Sequence, residues 1–266
     1  MNKIFKCFPD GKFKVLTMSY DDGKLSDRKL VSIFNKYGIK GTFHINSGLI
    51  GDENRLKRDE IKTLYAKHEV SAHTLTHPTI TRCPMEQVAK EILMDRENLE
   101  EIVGYPVRGL SYPNGSYNDS IKKLLKPLGI EYSRIVGNSD SFDLPSDFTE
   151  WKATCHHNHN LMEHAKEFVS LYKKQYLYMM YVWGHSYEFE KDNNWDLIED
   201  FCRYVGNKED IWYATNIEIV YYINILDNLK FSAKGDLVYN PSAKSAWISV
   251  NDKVMEIKGG TQVILF

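Results

Sequence analysis

From about residue 14 to residue 229 the chain alternates short β-rich apolar runs with segments whose apolar residues recur at helical spacing. This alternation restricts the fold more than any other feature. Strand-like runs lie at Lys14–Tyr20, Ile39–Asn46, Glu69–His73, Arg108–Tyr112, Ile130–Val136, Glu150–Cys155, Tyr176–Trp183 and Ile211–Ala214. Ser26 is placed to cap a helix whose apolar face is Leu30, Ile33, Phe34 and Tyr37, and Gly38 ends it. The clearest helix opens at Pro84 and stops at Gly104, with Val88, Ile92, Leu99 and Val103 in its apolar stripe. Others are expected over Arg58–Lys67, Asp119–Leu128, Leu161–Lys174, Trp195–Val205 and Glu218–Leu229. Buried strands joined by helical crossovers run parallel, because each crossover returns the chain to the same end of the sheet. The expected class is α/β: a parallel β/α barrel, complete or incomplete, with a doubly wound open sheet as the alternative.

Near Lys230 the pattern changes. Lys230–Lys234, Asp236–Asn240, Ala246–Val250, Val254–Lys258 and Thr261–Phe266 are short, strand-like and separated by Gly, Pro, Asn or Asp. So short a stretch cannot build a core of its own. The expected division is a main domain over 1–229 and a β-rich extension over 230–266 packed on it.

Bulk properties mainly exclude. A formal charge of −2 implies neither a nucleic-acid nor an anionic-membrane partner. Pro9, Asp10 and Gly11 interrupt the region where an apolar leader would run, and no apolar stretch approaches the roughly 20 residues that span a bilayer. Cys7, Cys83, Cys155 and Cys202 are scattered without CxxC spacing, so reduced thiols and a cytoplasmic location are expected. The chain also lacks GxGxxG, GxxxxGK[ST] and GxSxG, which argues against dinucleotide, P-loop and nucleophile-elbow chemistry.

Four polar clusters sit where a strand ends, and in a β/α barrel those ends share the face on which active sites form. In Ser19-Tyr20-Asp21-Asp22-Gly23, two adjacent carboxylates are costly unless a cation or solvent compensates them; the run reads either as a solvated Asp-Asp-Gly turn or, at the end of a buried strand, as a metal site. In His73-Thr74-Leu75-Thr76-His77, two imidazoles are spaced to reach one ion, and Pro78 excludes a helical HExxH site. Two His and one Asp would leave positions open, as hydrolytic zinc sites require. The turn Tyr112-Pro113-Asn114-Gly115 can aim backbone N–H groups into a cleft, where a developing oxyanion needs them. Tyr181–Trp183 delivers His185 to a strand end, where it is a candidate general acid. Cys155-His156-His157-Asn158-His159 is open to two readings, a second metal site or a polar loop, and the loop is favoured because no carboxylate sits within the run.

In this order the clusters resemble the motif series of NodB-type polysaccharide deacetylases, carbohydrate esterase family four. The resemblance covers about residues 13–225, with Glu150-Trp151 and Trp183-Gly184-His185 as looser matches than the first two motifs. It implies a distorted (β/α)7 barrel with a short C-terminal β-rich extension. It also implies a divalent ion, usually zinc, held by Asp22, His73 and His77. Asp21 would be the base that activates water at the metal, and His185 the acid that protonates the leaving amine. Tyr112, Pro113 and Asn114 would line the substrate and oxyanion position, with Arg108, Glu150 and Trp151 in support. The implied substrate is an N- or O-acetylated glycan. In this sequence Tyr20 replaces the family's Phe, and Ser111 stands where it has Arg, with Arg108 three residues earlier. Glu150 stands where it has Asp. Two further readings are a same-family amidohydrolase acting on a small non-sugar amide and a glycan-binding protein without catalysis.

Overall fold

The computed structural model describes residues 3–266. A short strand, β1 (Ile4–Cys7), precedes β2 (Lys14–Asp21), every residue of which is buried. Strands and helices then alternate through α1 (Asp27–Lys36), β3 (Gly41–Ile45), α2 (Arg58–Leu64), β4 (Glu69–Ala72) and α3 (Met85–Val103). Next come β5 (Gly109–Ser111), α4 (Asp119–Leu125), β6 (Tyr132–Asn138), β7 (Trp151–Ala153) and β8 (Cys155–His156). The alternating part ends with α5 (Leu161–Ser170), β9 (Tyr178–Gly184), α6 (Tyr187–Lys191), α7 (Trp195–Val205), β10 (Ile211–Tyr213) and α8 (Asn216–Asn228).

The strand pairings decide between barrel and open sheet. β2 pairs with β3, and pairing continues through β4, β5 and β6, all parallel. One short segment then closes the circle: β7 pairs with β6, and β8, one residue further on, pairs with β9, which returns to β2. Counting β7–β8 as one stave, the ring is β2, β3, β4, β5, β6, β7–β8 and β9. This is a (β/α)7 barrel. Its distortion has a visible source: β10 pairs with Lys14–Leu16 at the base of β2, while β3 pairs only with Met18–Asp21 above it.

Strand alternation sorts the side chains. Leu16, Met18 and Tyr20 of β2 enter the apolar layer beneath the helices, with Leu30 and Phe34 of α1 and Phe43 of β3. The opposite face of β2 puts Thr17, Ser19 and Asp21 into a polar barrel interior. There Thr17 donates to Asn216 (2.8 Å), and Glu69 accepts from Thr42 Oγ1 (2.9 Å), Tyr132 Oη (2.7 Å) and the Ile217 N–H (3.0 Å). Gly109 makes room for this network, since a Cβ there would lie 2.1 Å from Tyr132 Cζ.

The C-terminal residues form β11 (Lys230–Phe231), β12 (Leu237–Tyr239), β13 (Ala246–Val250), β14 (Lys253–Ile257) and β15 (Gln262–Ile264). β13 lies between β14 and β1, so the first strand pairs with the extension and not with the barrel. Neither β1 nor α6 is legible in the sequence, because both are too short to show a period. Tyr222 of α8 ties this layer together, donating to Cys7 O (2.9 Å) and accepting the Trp247 N–H (3.1 Å). The extension thus packs on α8 and on the turn at 9–11 before β2, away from the C-terminal strand ends. No helix among the described residues is long and apolar enough to cross a membrane.

Candidate active site

At the end of β2 the backbone turns sharply. Asp22 adopts φ +82° and donates its N–H to His44 O (2.8 Å), which aims its carboxylate differently from that of Asp21. Arg55 reaches over this turn, donating to the Asp22 carbonyl and to Asn46 Oδ1 (3.1 Å).

His73 and His77 leave β4 on a loop that also holds unfavourable backbone conformations, with φ +65° at Thr74 and +60° at His77. What enforces it is a set of buried polar contacts. Asp95 of α3 accepts the His73 N–H (2.9 Å) and the Ser47 N–H (2.7 Å), and Glu91 accepts both the N–H (2.8 Å) and hydroxyl (2.7 Å) of Thr76. Asn46 donates to the carbonyls of His73 (2.6 Å) and Thr74 (3.1 Å). His73 Nδ1 lies 2.7 Å from Ser111 O, which fixes that nitrogen as the donor and leaves Nε2 bare. Burial, the largest influence, lowers the His73 pKa and favours the neutral ring.

The result is a three-ligand cluster: one atom each from Asp22, His73 and His77, all within 4.8 Å of one another. Two imidazoles and a carboxylate, whose Oδ1 also lies 3.8 Å from Arg55 Nη2, fit a divalent ion of the zinc type and leave coordination positions open.

Asp21 sits beside this cluster, with Oδ2 3.7 Å from His73 Nε2. That same oxygen accepts from Arg134 and from Ser111 Oγ (3.2 Å), and Arg134 also donates to Ser111 Oγ (2.6 Å) while lying over the Trp183 ring at 4.4 Å. Oδ1 has no hydrogen-bond partner among the described residues. Burial works to raise the Asp21 pKa, but the Arg134 guanidinium, with His73 and His44, overrides it and holds the carboxyl well below the usual carboxylate range.

His185 follows β9. Its backbone N–H donates to Glu188 Oε2 (2.9 Å), and its Nδ1 lies 3.4 Å from the same oxygen. Glu188 is the hub of a histidine cluster, with His156 Nε2 at 3.1 Å and His157 Nε2 at 3.4 Å. Burial lowers the His185 pKa, but the Glu188 carboxylate and Asp21 outweigh it and raise it above the ordinary imidazole value. His157 is buried between Tyr20 and Phe189, and burial pushes it down to about 3, so it stays neutral.

Residues 9–133 match the polysaccharide deacetylase family model. Over those residues, fewer than half of the chain, it is similar to polysaccharide deacetylases. It is 25% identical over 119 residues to the peptidoglycan-N-acetylmuramic acid deacetylase PdaC of Bacillus subtilis, covering 44% of this chain and 25% of that protein. It is also 25% identical over 115 residues to a chitooligosaccharide deacetylase of Rhizobium leguminosarum, covering 42% of this chain and 48% of the relative. The chain thus spans half or less of the length of these curated relatives. In fold it is similar to a structure described as a putative polysaccharide deacetylase from Mycobacterium smegmatis, at TM-score 0.63 and 16% identity, over 83% of this chain and 93% of that one.

Of the residues singled out in the sequence, Asp22, His73 and His77 come together, with Asp21 beside them. The deacetylase motifs misplace two supporting residues. Arg108 lies at the other end of β5, where it donates to Gly129 O (3.2 Å), and the guanidinium on Asp21 is that of Arg134. Arg134 is the register partner of Ser111, so its guanidinium reaches Asp21 from the neighbouring strand at the height of Ser111. Glu150 accepts from Tyr117 Oη (2.7 Å) and pairs with Lys122, while Glu188 holds His185. Trp151 is buried inside the barrel against Tyr132 and Tyr181. In the proline turn, Tyr112 and Pro113 are buried and Asn114 is exposed at φ +57°. The N–H groups of Tyr112, Gly115 and Ser116 donate to Arg134 O, Tyr112 O and Pro113 O, which leaves that of Asn114 as the turn's candidate donor to a ligand. Arg134, Glu188, Asp95 and Glu91 escape sequence reasoning because each belongs to an ordinary strand or helix pattern.

Proposed function

We propose that the chain is a metal-dependent hydrolase that removes acetyl groups from an N-acetylated or O-acetylated carbohydrate. The observation that carries this reading is the convergence of Asp22, His73 and His77 on one point beside a buried carboxylate whose Oδ1 is unpartnered. A zinc-like ion held by those three residues supplies Lewis acidity and lowers the pKa of water. Asp21 accepts the proton of the attacking water on Oδ1, while Arg134 and Ser111 hold Oδ2 and so fix the plane of the carboxylate. Water oxygen joins the acyl carbon, the C–N or C–O bond breaks, and acetate departs. His185 gives a proton to the leaving amine or alcohol through Nε2, with Glu188 orienting the ring at Nδ1 and favouring its protonated form. The Asn114 N–H is the backbone donor available to the developing oxyanion.

An extended substrate is favoured over a small amide by what surrounds the site. The C-terminal extension packs at the far end of the barrel and does not wall the strand ends. Beside Asp22 a cavity of about 420 Å³ is lined by Lys24, Leu25, Ser26, Asn54, Tyr187 and Glu190. The half-exposed Tyr187 ring, 5.3 Å from that of His185, offers a flat face of the kind sugar C–H groups pack on. The test is acetate release from chitooligosaccharides and O-acetylated glycans by zinc-loaded protein, with and without chelator. Release that stops on chelation and in Asp21→Asn supports the proposal. Failure of the metal-loaded protein to release acetate from any such substrate overturns it. Glycan binding without turnover, unchanged in Asp21→Asn, would point to a binding protein.

A further inference from the structure

We propose that Asp140, His159 and His164 form a second divalent-cation site, sharing no residue with the cluster at Asp22. The carboxylate absent from the Cys155–His159 run is supplied from the segment after β6, where Asp140 takes a left-handed backbone (φ +51°) and donates its N–H to Thr154 O (3.0 Å). His159 comes from the loop after β8 and His164 from the first turn of α5. Both imidazoles aim Nε2 at one oxygen: Asp140 Oδ1 is 2.9 Å from His159 Nε2 and 3.1 Å from His164 Nε2, and the three ligand atoms lie within 4.8 Å of one another.

In a tetrahedral zinc site with ligands at about 2.0–2.1 Å, neighbouring ligand atoms stand about 3.3 Å apart. Both carboxylate–imidazole separations are within a few tenths of an ångström of that spacing, so small outward shifts admit an ion. Metal-free, both rings must carry hydrogen on Nε2 to satisfy a single oxygen. With an ion bound, each neutral ring carries its hydrogen on Nδ1 instead, and the freed Nε2 atoms and the Asp140 oxygen bond the ion together. Two nitrogen donors select a zinc-like first-row cation and disfavour magnesium or calcium, which prefer oxygen. The Asp140 and His159 side chains are 53% and 41% exposed, so the ion has a path in from solvent.

The site also has a structural consequence. It staples the segment leaving β6 to the loop leaving β8, and the same two segments are already joined where Asn138 Oδ1 accepts the His156 N–H (2.7 Å). His156 and His157 in turn contact Glu188, which holds His185. A cation at Asp140 therefore braces the loop that supports the proposed acid.

The experiment is titration of chelator-stripped full chain with Zn²⁺, with Co²⁺ absorption as a second readout. Wild type is expected to take up two equivalents, His164→Gln and His159→Gln one each, His73→Ala one, and His73→Ala/His164→Gln none. Co²⁺ in His73→Ala should give the visible absorption of a tetrahedral nitrogen–oxygen site, lost on adding His164→Gln. His159 is half-exposed, so its Gln variant keeps the test valid if His164→Gln misfolds. One equivalent in wild type, lost in His164→Gln and kept in His73→Ala, would sustain this site and sink the reading of Asp22, His73 and His77 as metal ligands. Zinc uptake and affinity unchanged in both His159→Gln and His164→Gln overturn the proposal.

Discussion

Replacing Arg134 with Met probes the network that holds the proposed base. Arg134 is 1% exposed and its partner Asp21 3%, so neither charge is rescued by water when the other is removed. Methionine fills part of the volume but leaves a buried carboxylate with the Ser111 hydroxyl as its remaining hydrogen-bond donor and the His73 edge 3.7 Å away. Breaking one side of such a pair costs about 3–5 kcal/mol. For a chain of this size that lowers the melting temperature by on the order of 10 °C. The cost must also depend on pH. In wild type the Asp21 carboxyl is held low, so its contribution is present above the unfolded value and lost only as pH falls through the folded one. Without Arg134 burial dominates and the folded pKa rises, so the variant loses stability as pH rises. The gap between the two proteins should therefore be small near pH 4 and widen towards pH 8. The assay is urea unfolding of wild type, Arg134→Met, Asp21→Asn and the double variant, with chelator present so that no cation substitutes for the guanidinium. Asp21→Asn should recover much of the loss in the Arg134→Met background. Additivity of the two substitutions within about 0.5 kcal/mol, or a gap independent of pH, would refute the argument.

Glu188→Gln should lower kcat for acetate release by roughly 10–100-fold, as removal of a supporting partner commonly does. Because Glu188 raises the His185 pKa, the alkaline limb of the kcat profile should also move to lower pH, and an unmoved limb would separate Glu188 from the acid. Glu69 is pushed up from 4.5 to about 7 by burial, against the hydrogen bonds it accepts, so its stabilising effect is full below about pH 4.5 and lost as pH rises through 7. At roughly 1.4 kcal/mol per unit, Glu69→Gln should remove roughly 3 kcal/mol of pH-dependent stability between pH 4.5 and 8, read from urea midpoints. Gly109→Ala should destabilise by at least about 1–3 kcal/mol through overpacking on Tyr132, checked by thermal melting.

The α/β class and the four polar clusters are legible in the chain because both rest on short-range order. A strand buried on both faces, such as β2, writes a continuous apolar run, and a helix such as α3 writes its period. Asp21 with Asp22, and His73 with His77, are neighbours along the chain, so their spacing survives as a motif. Partners drawn from other strands leave no such trace. Arg134 lies 113 residues from Asp21 and meets it only because β6 pairs with β5 in a register that sets it beside Ser111. Reading Arg108 as the supporting cation follows sequence distance, whereas Gly109, Leu110 and Ser111 carry the chain up the length of β5 and leave Arg108 at its base. Glu188 reaches His185 through a single short helix, α6, that has no periodicity to announce it. Barrel closure was equally out of reach of strand counting, since it depends on β7 and β8 pairing with different neighbours within six residues. The sequence by itself determined which residue types stand at the strand ends, since those choices are local. Only the tertiary structure decided which side chains face one another across the barrel mouth, because parallel register, and not chain distance, sets their height and separation.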